Sequence, residues 1–204
     1  MQNNDYILPG VAAIALAILY PLYWIGELTG SALSISAAAW ENMLMLTFSD
    51  VLFLAIGLLV IYVYLSVKTI LNDQLNFKRI DLLLLIMVGV NAIFIGTLSL
   101  DLAAAILPDA IVMQNKDLLL AVGFSLTVGV ILVCGLLDVV IGLVLLANAS
   151  KLPTLVKIFA VMTLIQGVFE VTVVFSPASI VIFPVSLIVL AAFFLTKPES
   201  IEVV

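Results

Sequence analysis

Six apolar runs, each long enough to cross a bilayer and joined by short polar connections, take up almost the whole of this 204-residue chain. About 20 apolar residues in a helix match the ~30 Å hydrocarbon thickness of a membrane. In that solvent the backbone polar groups must bond within their own segment, which a helix achieves. Composition points the same way. The chain is 65% hydrophobic and 10% charged, whereas a soluble domain is about half apolar and a quarter charged. A water-soluble core has no room for such an excess. The sequence therefore predicts an all-α, polytopic membrane protein with six transmembrane helices in one bundle. The spans fall at about 7–26, 43–67, 82–107, 118–147, 158–175 and 178–196, and form a single transmembrane domain over 1–204.

Basic residues set the expected orientation, because short cytoplasmic loops collect Lys and Arg. With six spans and both termini cytoplasmic, Lys68, Lys78, Arg79, Lys151, Lys157 and Lys197 lie inside and only Lys116 lies outside. The first run has no basic region before it and no clean small-residue cleavage site, so it reads as a retained helix. The expected location is the plasma membrane of a prokaryote, with the lipid bilayer as the principal partner. Other membrane subunits or self-association remain open as further partners. A net charge of −6 argues against nucleic acid and offers no polybasic patch for anionic lipid.

The informative residues are polar groups inside the apolar runs. The stretch MTLIQGVFEVTVVF, from Met162 to Phe175, holds Thr163, Gln166 and Glu170 at a spacing that puts all three on one helical stripe. Three other spans carry Asp50, Asp101 and Asp138, and the third span also has Asn91 near its centre. An acid at mid-membrane costs roughly 2.5–3.5 kcal/mol on insertion scales. These groups are thus expected to face protein, water or ions. No basic residue lies deep in any span to pair with them. At about 1.5 Å per residue, Asp50, Asp101 and Glu170 fall in the outer half of the membrane and Asp138 toward the inner half. Asn91 and Gln166 lie between, so the six form a discontinuous ladder of carboxyls and amides. The competing reading makes each acid a protonated fastener, hydrogen-bonded to a neighbouring helix. Asp50 and Asp101 are also shallow enough to reach interfacial water.

Other features describe packing. Ala13 with Ala17, and Ala92 with Gly96, are small-residue pairs that allow close helix approach. Cys134, Gly135, Asp138 and Gly142 mark a face suited to a tight helix–helix contact rather than a wide pore. Thr47, Asp50, Leu54 and Gly57 share a stripe on the second span. Tyr20, Tyr23 and Trp24, and also Tyr62 and Tyr64, read as interfacial belts. The connection from Glu27 to Asn42, with Trp40 at headgroup level, is either a short interfacial helix or an extension of the next span. The sixth span carries almost no polar group and is expected at the lipid-facing periphery. A weak similarity of DVLFLAIGLL and DVVIGLVLL, beginning at Asp50 and Asp138, suggests a parallel hairpin repeat.

Function classes narrow by exclusion. There is no histidine and a single cysteine, so histidine-ligated haem, histidine-containing zinc sites and His-dependent catalytic triads do not arise. No cofactor and no metal site is expected. No Gly-rich phosphate loop or nucleophile elbow occurs, and no motif accompanies the acids that would suit an intramembrane aspartyl enzyme. The expectation is a non-enzymatic protein that moves a proton, cation or small solute along Glu170, Asp138, Asp101, Asp50, Gln166 and Asn91. The alternative is a non-catalytic accessory or structural subunit of a larger membrane complex. In span number, loop length and the Ala13–Ala17 pair the chain resembles the substrate-binding components of vitamin uptake systems, which implies a small solute and assigns no site residue.

Overall fold

The computed structural model describes residues 6–33 and 47–196, and among these it is almost entirely helical, with no strand. The segment 34–46, with Trp40 and Glu41, and the tail 197–204, with Lys197, lie outside the described residues. In chain order the helices are α1 (Ile7–Leu33), α2 (Phe48–Leu75), α3 (Asp81–Gly96), α4 (Leu98–Ile106), α5 (Asp109–Gln114), α6 (Lys116–Ala147), α7 (Thr154–Val171) and α8 (Ser179–Leu195). Single 3-10 turns sit at Ala149–Lys151 and Ser176–Ala178. Six segments are long and apolar enough to cross a membrane: Ile7–Gly26, Phe48–Leu75, Asp81–Ile106, Lys116–Ala147, Thr154–Val171 and Ser176–Leu195. The chain is a six-span, all-α membrane protein.

Local chemistry explains where several helices stop and start. The Thr47 backbone N–H donates to Asp50 Oδ2 at 2.6 Å as one arm of a capping box at the start of α2, and the Thr47 hydroxyl donates to the same oxygen at 3.0 Å. The third span breaks into α3 and α4 at Thr97, whose hydroxyl bonds back to the Phe94 carbonyl at 2.6 Å and competes with the helical ladder. The first helix runs to Leu33, past the expected end at Gly26.

Two contacts tie the ends of the bundle together. The Tyr6 hydroxyl donates to Asp73 Oδ2 at 3.0 Å, joining the start of α1 to the end of α2. A Cβ at Gly10 would stand 2.7 Å from the Leu195 side chain, so α1 begins against the end of α8. With α7 and α8 joined by a short turn, Lys68, Lys78, Arg79, Lys151 and Lys157 share one end of the bundle and Lys116 lies at the other.

The tightest packing is between α6 and α7. A Cβ on Gly167 would meet the Gly135 carbonyl oxygen and the Val139 nitrogen, both at 2.6 Å. One on Gly135 would stand 2.8 Å from Glu170 Cβ, and one on Gly142 would stand 3.0 Å from the Ala160 carbonyl oxygen. Three glycines thus let the two backbones touch, as the glycines flanking Asp138 predict.

Three expectations are corrected, and the inward face of α2 is defined. The sixth span is central: half of Ser176–Leu195 is buried, against 11% of Asp81–Ile106. Phe183, Leu187, Leu190 and Phe194 of α8 belong to the core. Lipid tails are as apolar as a leucine core, so an apolar helix is as well suited to the centre as to the rim. Ala13 and Ala17 are buried, but Ala92 and Gly96 are exposed and no neighbouring atom approaches Gly96. On α2 the inward stripe is Phe53, Ile56, Gly57, Val60 and Tyr64, while Leu54 faces outward. Asp50 opens a helix whereas Asp138 lies deep inside one, so the two segments are not equivalent repeats.

Gly167→Ala is expected to lower the thermal unfolding midpoint in detergent, at a cost of about 1–3 kcal/mol, because backbone has to move. Gly96→Ala, which meets nothing, is expected to leave the midpoint unchanged or slightly raised. Val173, just beyond the α7 C-cap, holds φ 55°, a left-handed conformation that strains a β-branched residue. Val173→Gly is therefore expected to raise the midpoint, by about 1 kcal/mol, in the same measurement.

Candidate functional site

The glycine contact fixes where the acids stand. Glu170 lies in the last turn of α7, and Asp138 lies one turn beyond Gly135 on α6. Because Gly135 abuts Glu170 Cβ, the two carboxyls come to the same region of the bundle, on adjacent helices. The stripe of Thr163, Gln166 and Glu170 is buried, as its spacing predicts, and so is Asp138, only 2% exposed.

The bonding of the two acids differs. Glu170 Oε1 accepts from Gln166 Nε2 at 3.0 Å and from the Ser179 hydroxyl at 3.1 Å. The second bond crosses from α8 to α7, so part of Glu170 acts as a fastener between helices. Glu170 Oε2 is buried with no hydrogen-bond partner, and Asp138 Oδ1 is likewise without one. An unmet buried polar atom costs about 1–3 kcal/mol, more when charged. Asp138 is thus not explained as a hydrogen-bonded fastener.

Both acids line a cavity of about 120 Å³ to which all six spans contribute. A water molecule needs roughly 10–15 Å³ by such a measure, so the cavity has room for several waters or a small organic solute. Gln166 and Asn91 line it as well, although the Asn91 amide nitrogen donates to the Met87 carbonyl of its own helix at 2.9 Å. No Lys or Arg lines it. A second cavity, about 10 Å³ and near the size of one water, lies against Thr163, Ser186 and Leu190. Asp138, Gln166, Tyr64, Val60 and Phe183 line both cavities.

Of the six polar residues singled out in the sequence, Asn91, Asp138, Gln166 and Glu170 meet at the larger cavity. Asp50 and Asp101 do not line it. Asp50 is engaged in the α2 capping box, and Asp101 sits half-buried in the first turn of α4, within electrostatic reach of Asp50. Of the discontinuous ladder, four residues therefore come together in one group, and Asp50 and Asp101 stand apart as a separate pair of acids.

Sequence reasoning missed the aromatic part of the lining. Phe94, Phe53, Tyr23, Trp24, Tyr20 and Phe183 form an unbroken run of ring contacts, with centroid separations of 4.9, 5.9, 5.3, 6.2 and 4.8 Å in that order. All six line the cavity, and they come from α1, α2, α3 and α8. The three α1 rings are not simply an interfacial belt. Their i, i+3, i+4 spacing, which puts them on one helical face, was the available signal.

Comparison of the chain with protein-family models, curated proteins and solved structures finds no match.

Because Asp138 Oδ1 has no partner to lose, Asp138→Leu is expected to keep or raise the thermal unfolding midpoint, by about 1 kcal/mol or more. Ser179→Ala, which removes a bond between α8 and Glu170, is expected to lower it by about 1 kcal/mol. A large loss for Asp138→Leu in thermal unfolding would make that acid a structural fastener after all.

Proposed function

We propose that this is a non-enzymatic membrane transport protein, moving a proton, cation or small solute through the central cavity, with Glu170 and Asp138 as the groups that hold and release the charge. The observation that carries the reading is that both buried acids line a cavity of several waters' volume, and each keeps an oxygen without a partner. Intramembrane ionisable groups are costly and are retained where they serve a path. Gln166 positions Glu170 by donating to its Oε1. Asp138, which lines both cavities, is the step between the larger one and the water-sized one beyond it. Asp50 and Asp101 take no part in this central group. The charge distribution favours an orientation with the Lys- and Arg-rich end of the bundle and both termini cytoplasmic, and the setting proposed is the plasma membrane of a prokaryote.

A second reading, an accessory subunit of a larger membrane complex, draws on the exposed apolar surface of the third span and of the first half of α6, including Leu118, Phe124 and Leu126. Lipid covers such a surface equally well. Recovery of the protein alone after mild solubilisation, with flux in liposomes, decides for transport. Recovery only with partner subunits, and no flux alone, decides for the accessory role.

In proteoliposomes with a pH- or cation-sensitive dye inside, the purified chain is expected to give a gradient-driven flux. Glu170→Gln and Asp138→Asn, which keep shape and lose the ionisable group, are each expected to reduce it by roughly 100-fold or more, as loss of an obligatory proton-transfer group does. Flux that survives both substitutions overturns the mechanism.

A further inference from the structure

We infer that the central cavity binds a small monovalent organic cation, a quaternary or protonated amine, held between the aromatic wall and the carboxyls of Asp138 and Glu170. This deepens the transport reading and rests on the same cavity. The wall is made by rings from four helices, with Phe53, Tyr23 and Trp24 at its middle. Aromatic faces carry negative charge density and attract a desolvated organic cation by up to about 2 kcal/mol or more. They also accept its methyl or methylene groups as an apolar surface.

The two carboxyls supply the counter-charge. With one of the two carboxyls ionised the cavity carries one negative charge, and no Lys or Arg of the lining offsets it. Such a site repels anions. A neutral apolar solute would leave Asp138 Oδ1 and Glu170 Oε2 without compensation. A hard divalent ion needs six or more oxygen ligands. Here one Glu170 oxygen already serves Gln166 and Ser179, and rings rather than oxygens make up much of the remaining lining. A single charge on an apolar body satisfies both the carboxyls and the rings.

The test uses the full chain in nanodiscs, carrying Trp40→Phe, which leaves Trp24 as the sole tryptophan. Trp24 lines the cavity, so its fluorescence reports occupancy. Choline is the probe, its neutral isostere 3,3-dimethylbutan-1-ol the control, and sodium chloride at matched ionic strength the blank. Choline is expected to give a saturable change, the neutral isostere to bind at least ~10-fold more weakly, and sodium chloride to give none. Phe53→Leu and Asp138→Asn, with helical circular dichroism unchanged, are each expected to weaken choline by roughly 10-fold. Equal titration by choline and its isostere, or no titration by choline, overturns the ligand class. Choline binding without uptake into liposomes retains the ligand and overturns transport. Proton flux lost in Glu170→Gln, without choline binding, does the reverse.

Discussion

Backbone contact between α6 and α7 is the constraint on which the rest of this structure depends. Gly135, Gly142 and Gly167 bring the two helices so close that a single methyl group has no place between them. In a bilayer there is little hydrophobic gain from joining helices, since lipid is as apolar as leucine. Dispersion between closely apposed backbones and hydrogen bonds must then do most of the holding. The same contact puts Glu170 one turn from Asp138 across the interface and turns both away from lipid. A structural requirement and a chemical opportunity therefore share three residues.

What the sequence made legible follows from the cost of polar groups in oil. Thr163, Gln166 and Glu170 had to turn inward together, and they do. The glycines around Asp138 announced a tight contact for the same reason: polar or small residues inside apolar runs are informative because they are rare there. Apolar residues are not, and α8 illustrates this. Nothing in its composition separates a central helix from a peripheral one, because leucine and phenylalanine suit both places equally. Only the packing of Phe183, Leu187 and Leu190 against the other helices decides it. Asp50 shows the complementary failure. An acid two residues inside a helix start can cap its own backbone and needs no partner elsewhere, so polarity alone does not distinguish a cap from a path.

The aromatic wall was hidden by a competing rule. Tyr and Trp near the end of a span ordinarily mark the headgroup region, and Tyr20, Tyr23 and Trp24 fit that description in one dimension. Their shared helical face was equally visible, but its neighbours Phe53, Phe94 and Phe183 come from three other spans, and only the bundle brings them into contact. A run of rings in edge-to-face and tilted contact is held by its own quadrupoles as well as by burial. It forms a surface of the cavity to which its own six residues add no charge.

The two acids that share the cavity with that surface are not equivalent. Glu170 gives one oxygen to Gln166 and Ser179 and so remains fastened to α8 whether or not its other oxygen binds anything. Asp138 has no such bond and borders both the large cavity and the small one. A group tied to its neighbours keeps a fixed position for a charge, while an untied group can change partners at little structural cost. The stability of the bundle therefore draws on the bonds of Glu170 and not on the carboxyl of Asp138. Retaining an acid at a position whose hydrogen-bonding capacity the fold leaves unmet is what a binding or relay group requires, and what a fastener does not.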